Sequence, residues 1–105
     1  TQALSALAEA VASSKSLKKL VLGYNSLGPN AARAIGEAAG RSTSLTELDI
    51  SGNLVGLHGG KAIVDAVQAN ASLKVVDLRF NSLDAAVVGE AVGKLEGREG
   101  VRVEV

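Results

Sequence analysis

Residues 45–53 have the sequence LTELDISGN, and the same frame occurs twice more in the chain. It appears earlier as LKKLVLGYN at residues 17–25 and later as LKVVDLRFN at residues 73–81, so that successive copies start 28 residues apart. Within each copy, apolar residues recur at alternate positions before an asparagine ends the frame, which predicts a short strand with one buried face. We therefore expect stacked repeats, because one such unit cannot bury its apolar face alone.

Helical periodicity follows each predicted strand. Apolar residues spaced i, i+3, i+4 and i+7 predict helices over residues 2–13, 29–40, 57–69 and 84–96. The strands are predicted over residues 19–23, 47–51 and 75–79. Gly36 and Gly60 fall on the buried stripes of their helices. A glycine inside a helix costs roughly 1 kcal/mol relative to alanine, so we expect these two to allow a close approach of helix to strand layer.

The last five residues, VRVEV at 101–105, alternate strictly and predict a closing strand. Continuing the 28-residue spacing would bury Glu104, whereas a register shifted by one residue turns Val103 and Val105 inward. We expect the shifted register. The 105 residues then form a single domain, with a helix at 2–13, repeats that start at 17, 45 and 73, and the closing strand.

Composition limits the classes of partner. Apolar residues make up 47% of the chain, charged residues make up 21%, and the formal net charge is zero. This balance argues against nucleic acid and anionic membranes, which both require a basic surface. No stretch of about 18 apolar residues is present to span a bilayer. The chain has no cysteine, which excludes disulfides and thiolate ligands and fits a reducing compartment. We expect a cytoplasmic domain without a cofactor.

One asparagine ends each frame, at Asn25, Asn53 and Asn81. A chain that turns sharply off a strand leaves backbone N–H and C=O groups without ladder partners. A carboxamide offers donors and an acceptor, so one asparagine per repeat can satisfy several of these groups. We therefore interpret the three asparagines as structural, and not as catalytic residues.

The frame LxxLxLxxNxL, with a 28-residue interval and a full helix per unit, resembles the leucine-rich repeat, specifically the ribonuclease-inhibitor-like class. The resemblance covers essentially the whole chain, with Val55 and Val76 at two leucine positions. It implies an α/β fold: a right-handed solenoid that forms a horseshoe segment, with parallel strands inside and α-helices outside. NOD-like receptors and the GTPase-activating protein for Ran contain this class of repeat. The class mostly supplies scaffolds for binding, so the resemblance implies a fold more strongly than a function.

Outward side chains of the strands, together with the residue before each asparagine, form the candidate partner-binding surface. It comprises Lys19, Tyr24, Glu47, Asp49, Asp77, Arg79 and Phe80. Asp49 and Asp77 occupy equivalent positions and should lie about 5 Å apart on neighbouring strands. Lys19 and Glu47 should likewise be neighbours. The surface would then have an acidic centre with basic residues at its flanks.

Two interpretations of this surface remain open. In the first, Tyr24 and Phe80 are aromatic anchors for a protein partner, and the carboxylates select a basic group. In the second, the charges only keep a solvated sheet face soluble, and the aromatic rings cover the rim of the core. The paired carboxylates have no histidine or third acidic residue at matching spacing, so we expect neither a metal site nor a catalytic residue.

The sequence supports three functional hypotheses. The first is a non-enzymatic scaffold that binds a protein on the concave strand face. The second is a structural module that self-assembles through uncovered repeat ends, because no strand precedes helix 2–13 to pair with the edge of strand 19–23. Such an edge would also be covered in a longer horseshoe of which these residues are a piece. The third, regulation of a GTPase, is implied only by the resemblance to the Ran-activating family.

Overall fold

Helices and strands alternate along the chain. The structure, a computed structural model, describes residues 2–68, 70, 72–83, 85–87, 89, 93 and 102–104. Its elements are α1 (Gln2–Ser13), β1 (Lys19–Val21), α2 (Pro29–Arg41), β2 (Glu47–Asp49), α3 (Gly56–Gln68), β3 (Val75–Asp77) and β4 (Arg102–Glu104). Residues 85–87, 89 and 93 are helical as well. The other residues of the predicted helix 84–96 lie outside the described residues, as do 101 and 105 of the closing strand.

The strands form one open, parallel sheet in the order β1-β2-β3-β4. Leu20 pairs with Leu48 and Leu48 pairs with Val76, so that equivalent residues of successive repeats lie side by side. Val76 in turn pairs with Val103. This last pairing is shifted by one residue relative to the earlier ones, which confirms the shifted register predicted for the closing strand.

The strands are shorter than the sequence suggested. The strands predicted over 19–23, 47–51 and 75–79 end two residues earlier, at Val21, Asp49 and Asp77. Single hydrogen bonds nevertheless continue the ladder, for example from Leu22 N–H to Asp49 O at 2.8 Å. Regular pairing ends because the chain turns into a loop in which Tyr24 has a φ of 59°, and left-handed backbone cannot continue a strand.

The core lies between the sheet and the helices and is aliphatic. The middle residue of each of the first three strands is buried, and the helices cover it with branched and small side chains. The largest fully buried side chains are Ile35, Leu45, Leu48, Ile50, Ile63, Leu73 and Leu78. Five of them, Leu45, Leu48, Ile50, Leu73 and Leu78, come from the repeated frame and two, Ile35 and Ile63, come from the helical stripes. Repeat spacing therefore brings side chains of equal role into one layer.

The two helical glycines act differently from our expectation. A Cβ built on Gly36 would lie 2.7 Å from Cγ1 of Ile63, and one built on Gly60 would lie 2.9 Å from side-chain atoms of Leu83 and Val87. Ile63 belongs to α3. The glycine at position 36 therefore allows α2 to approach α3, and the expected approach of helix to strand layer was wrong. The close contact between the two helices is therefore what restricts the size of the residue at position 36.

Asn53 joins the first repeat to the second. Its Oδ1 accepts hydrogen bonds from the backbone N–H groups of Asn25 at 3.0 Å and Leu27 at 2.9 Å. Its Nδ2 donates to the carbonyl oxygens of Leu22, Ile50 and Ser51. Asn53 itself is buried. One side chain thus satisfies five backbone groups on two repeats, as the recurrence of asparagine predicted.

Asn81 repeats this arrangement one coil later. Its Oδ1 accepts from the N–H groups of Asn53 at 3.1 Å and Val55 at 3.4 Å, and its Nδ2 donates to Ile50 O at 2.9 Å. The three asparagines therefore form one column across the repeats. Asn25 stands at the outer end of this column, and its Nδ2 donates to Gly23 O at 3.1 Å.

Replacing Asn53 by alanine should destabilise the fold far more than the same change at Asn25. Asn53→Ala leaves several buried backbone groups without partners, each at a cost of about 1–3 kcal/mol, so we expect a loss of about 3 kcal/mol or more in the free energy of unfolding. Asn25→Ala removes one exposed bond and should cost less than about 1 kcal/mol. Urea denaturation measures both, and equal losses would contradict the role given to Asn53.

Candidate partner-binding surface

The face of the sheet that points away from the helices contains most of the predicted site residues. We call it the strand face, and it consists of Lys19, Val21, Gly23, Glu47, Asp49, Ser51, Val75, Asp77 and Arg79. Each residue alternates with one that points into the core, such as Leu20 or Leu48. The predicted neighbours are neighbours here, because Lys19 pairs with Glu47 and Asp49 pairs with Asp77 in the sheet register.

Four of the charged residues on the strand face form ion pairs with each other. Lys19 Nζ lies 3.0 Å from Glu47 Oε2. The guanidinium of Arg79 binds both carboxylate oxygens of Asp77, with Nε at 3.0 Å from Oδ1 and Nη2 at 2.8 Å from Oδ2. Two parallel bonds of this kind fix the geometry of the pair. The predicted acidic centre is therefore partly neutralised from within.

Arg79 also controls the charge of Asp77. Burial raises the pKa of this carboxyl group, but the hydrogen bonds from the side chain and backbone N–H of Arg79, together with its positive charge, lower the pKa further than burial raises it. The pKa of Asp77 therefore lies below its usual value, and the group stays ionised at neutral pH. Its charge is already paired with Arg79 within the fold, so a partner would have to compete with that ion pair.

Asp49 differs from its neighbour because no described residue forms an ion pair with it. Its Oδ1 accepts hydrogen bonds from the backbone N–H of Ser51 at 2.9 Å and from the Ser51 hydroxyl at 2.7 Å. It borders Gly23, where an added Cβ would lie 3.7 Å from Asp49 Oδ1. Ser51 thus holds the Asp49 carboxylate in place, and the neighbouring Gly23 has no side chain to cover it.

The loops that follow the strands carry the two aromatic residues. Tyr24, Gly52 and Phe80 occupy equivalent positions, and we call them the loop row. All three have left-handed backbone, with φ values of 59°, 67° and 62°. The ring of Tyr24 lies across Gly52, in the space that a Cβ would occupy. Tyr24 and Phe80 remain 72% and 71% exposed, so neither ring covers the core.

Left-handed backbone explains the glycine in this row but not the aromatic residues. This conformation costs a residue with a Cβ roughly 1–2 kcal/mol, whereas glycine adopts it freely. Tyr24 and Phe80 are also too exposed for burial of their rings to offset that cost. Strained residues that the fold does not need are found preferentially at binding and active sites. The loop row is therefore the strongest local indication of a binding role.

Two further residues belong to this surface that the sequence analysis did not single out. Val21 is 54% exposed at the carboxyl end of β1, on the side of the loop row. Ser51 holds Asp49 in place through its hydroxyl group. Alternation along strands 19–23 and 47–51 already placed both on the outward face. In the sequence, Val21 could be recognised only as a β-branched residue at an outward position, and Ser51 only as a serine two positions after Asp49. Each of these signals is a weak indication of a binding surface.

The repeated frame also matches a known family. The model for the leucine-rich repeat matches residues 13–36 and 41–64, which contain β1 and β2. Residues 13–36 and 41–64 therefore match leucine-rich repeats. The sequence matches none of the curated proteins.

Solved structures share this leucine-rich-repeat fold at low sequence identity. Actin-binding site 2 of leiomodin-1 is similar with a TM-score of 0.84 and 18% identity, over 98% of this chain and 61% of that one. The C-terminal domain of Caenorhabditis elegans tropomodulin is similar with a TM-score of 0.83 and 12% identity, over 96% of this chain and 62% of that one. The chain thus spans about three fifths of the length of either structure. Identities this low establish the fold alone.

The described residues were also searched for two other kinds of site. None of their helices combines the length and the apolar character needed to cross a bilayer. No three of their histidine, aspartate and glutamate residues come close enough together to bind a metal ion. On the strand face, the carboxylate of Asp77 binds Arg79, and the carboxylate of Asp49 accepts a hydrogen bond from Ser51.

Acid should weaken the fold through Asp77. The pKa of Asp77 is lower in the folded chain, so its contribution to stability is complete above the unfolded value of about 3.9 and is lost as the pH falls through the folded value. We expect the difference in urea midpoint between the natural chain and Asp77→Asn to shrink below about pH 4. Arg79→Gln should remove the same pH dependence. If the difference in urea midpoint between the natural chain and Asp77→Asn stayed constant as the pH fell, this assignment would be contradicted.

Glycine should be tolerated better than alanine at position 24. Both substitutions remove the ring, but only alanine retains the strain of a φ near 59°, so Tyr24→Gly should exceed Tyr24→Ala in stability by about 1 kcal/mol. At Val21, whose backbone is extended within β1, the order should reverse, because glycine weakens strands. Thermal unfolding of the four variants checks both orders. A more stable alanine variant at position 24 would show that the loop row carries no strain.

Proposed function

We propose that this chain is a protein–protein interaction scaffold that binds its partner on the strand face and the loop row. In this proposal the repeats form an arc of a right-handed horseshoe of the ribonuclease-inhibitor-like class, with a 28-residue period, and the strand face is its concave side. The domain acts in the cytoplasm, and it binds without catalysing a reaction. The observation that carries the proposal is the pair of exposed aromatic residues on strained backbone beside Asp49.

The apolar part of the proposed interface consists of Tyr24, Phe80 and Val21. Aromatic side chains supply large contact areas with few rotatable bonds, and they are enriched among the residues that dominate binding energy. The ring of Tyr24 rests on Gly52, which limits the entropy that it would lose on binding. A partner can therefore gain apolar contact without first ordering the loop row.

The polar part of the interface is Asp49. Because Glu47 and Asp77 already have Lys19 and Arg79 as counter-ions, a basic group of the partner would gain most from the carboxylate that lacks one. Ser51 holds this carboxylate, and Gly23 leaves space beside it. The partner chemistry that fits is a lysine or arginine side chain flanked by apolar residues that reach the loop row.

Actin is the first partner to test. The support is the fold similarity to actin-binding site 2 of leiomodin-1, which extends over 98% of this chain. Regulation of a GTPase has the resemblance of the repeats as its only support. Self-assembly depends on the outer edge of β1, with which no described strand pairs.

Two substitutions should weaken binding to actin while leaving the fold intact. We expect Asp49→Lys and Tyr24→Gly each to lower affinity at least about tenfold, because each removes a central contact. Glu37→Lys is the matched charge reversal, on the exposed surface of α2, and should leave affinity unchanged. Titration with monomeric actin and co-sedimentation with filaments measure the effect.

The two parts of the proposal fail separately. If the unaltered chain binds neither form of actin, actin is not the partner. If it binds and both variants keep the full affinity, the strand face and the loop row are not the binding surface. Circular dichroism of each variant verifies that the change in affinity is not a loss of fold.

A further inference from the structure

The loop that follows β2 has a different backbone from the loops on either side of it. In those two loops the residue after the asparagine is left-handed, with a φ of 55° at both Ser26 and Ser82. Leu54 occupies the equivalent position and is not left-handed, and a positive φ of 71° falls instead at Gly56. The equivalent of Gly56 in the first loop, Gly28, has a φ of −79°. The middle loop thus adopts left-handed backbone only at glycines, so position 54 can hold a large side chain without strain.

The middle repeat exposes apolar side chains that the repeated frame does not require. Leu54 is 62% exposed, and Leu57, in the first turn of α3, is 42% exposed. The other repeats have serine at the position of Leu54, and proline or alanine at the position of Leu57. The two leucines therefore distinguish the middle repeat, and burial in the core does not explain them.

These leucines extend the loop row into a larger apolar surface. They follow Gly52, which lies between Tyr24 and Phe80 in the loop row. Pro29 lies against the start of α3, since a Cβ built on Gly56 would lie 3.9 Å from its Cγ. No residue of 23–32 or 51–60 is aspartate, glutamate, lysine or arginine, and the centre of a protein contact surface is likewise depleted of charge. We call this surface the loop-end patch, and it consists of Tyr24, Pro29, Leu54, Leu57 and Phe80.

The backbone beneath the loop-end patch is already hydrogen-bonded. All five N–H groups of residues 52–56 donate within the chain, for example Gly52 to Arg79 O and Leu54 to Leu27 O, both at 2.8 Å. An extended segment of a partner gains affinity by pairing its own backbone with free groups of this kind. A helix has its backbone groups paired internally. A helix is therefore the segment that suits an apolar surface with a bonded backbone.

The width of the loop-end patch also fits a helix. Tyr24 and Phe80 follow strands that are two places apart in the sheet, so their backbones lie about 10 Å apart. Two turns of an α-helix cover about 11 Å. Apolar side chains at i and i+7 would then reach the two aromatic residues, and those at i+3 and i+4 would reach the leucines between them.

We propose that the loop-end patch binds an amphipathic α-helix of the partner, which lies across the carboxyl ends of β1, β2 and β3. Its apolar stripe contacts the patch, and a lysine or arginine on one flank reaches Asp49. This aspartate is the last residue of β2, directly before the middle loop, and no described residue forms an ion pair with it. The inference rests on the proposed function, because it names the kind of segment that would bind there.

A second copy of the chain fits the loop-end patch less well. Two copies could bury their leucines against each other, but each Asp49 would then need a basic group from the other copy. The basic residues of the strand face, Lys19 and Arg79, already bind Glu47 and Asp77. A helix with a basic flank satisfies the apolar patch and the carboxylate together.

A display library of random peptides of about 16 residues, roughly four helical turns, tests this inference with the full chain as the target. We expect the enriched sequences to have apolar residues at i, i+3 or i+4 and i+7, with lysine or arginine on one flank. Synthetic copies of these peptides are then titrated by fluorescence anisotropy.

The decisive variant introduces the residues of the third repeat, as Leu54→Ser with Leu57→Ala. It should weaken binding of the enriched peptides at least about tenfold. Its Tm should stay within about 4 °C of that of the natural chain, because both leucines are exposed. Leu7→Ser, at an exposed leucine of α1, is the matched control and should leave affinity unchanged.

Several results would overturn the inference. They are a library without enriched peptides, enriched sequences whose apolar residues alternate as in an extended strand, and full affinity in the double variant. A dimer of the natural chain that the double variant dissociates would also overturn it, since the occupant would then be a second copy.

The proposed function fails by a different result. If Asp49→Lys weakens binding of the peptides and the double variant does not, the strand face stands and the loop-end patch is wrong. If the double variant weakens binding and Asp49→Lys does not, the loop-end patch stands and the proposed contact with the strand face is wrong.

Discussion

Hydrogen bonds from a buried carboxamide to the backbone of two coils are the interaction on which the rest of this structure depends. Asn53 satisfies five backbone groups, three of them on the preceding coil. Without such a partner, the loop amides would be desolvated with nothing to bind, at a cost that apolar burial in a 105-residue chain could not repeatedly offset. The asparagine column thereby sets the register, and the register brings Leu20, Leu48 and Val76 into one layer.

The same constraint shapes the proposed binding surface. Because the loops are attached through their backbone, the residues just before each asparagine are held in left-handed conformation whatever their side chains are. Glycine meets that requirement at position 52 without strain, while Tyr24 and Phe80 meet it with strain and remain exposed. Four described residues with a Cβ have left-handed backbone, namely Tyr24, Ser26, Phe80 and Ser82. Of these, Tyr24 and Phe80 occupy the position at which the middle repeat has glycine, and the binding proposed for them is a function that such a cost supports. Asp49 is held beside them by Ser51, with its charge uncompensated by the described residues.

Much of this was readable from residue spacing. The 28-residue interval predicted the element order and the column of asparagines, and a simple burial argument predicted the shifted pairing of Val103. It also placed Asp77 on the outward face, where the structure has this residue 7% exposed. Spacing did not reveal how side chains orient. Asp77 and Arg79 were recognised as neighbours on one face, yet only their rotamers make them a bidentate pair. Similarly, Gly36 could be assigned to a buried stripe, but whether it met a strand or Ile63 depended on how closely two helices approach.

Amide hydrogen exchange of the loop residues tests the central claim most directly. Asn25 and Leu27 lie outside every helix and strand, and their amides are protected here only by Asn53 Oδ1. If the carboxamide joins the repeats, both amides should exchange as slowly as that of Leu22 in the sheet ladder, and Asn53→Ala should release them together. Rapid exchange at Asn25 and Leu27 in the natural chain, at the rate of an open loop, would contradict the account.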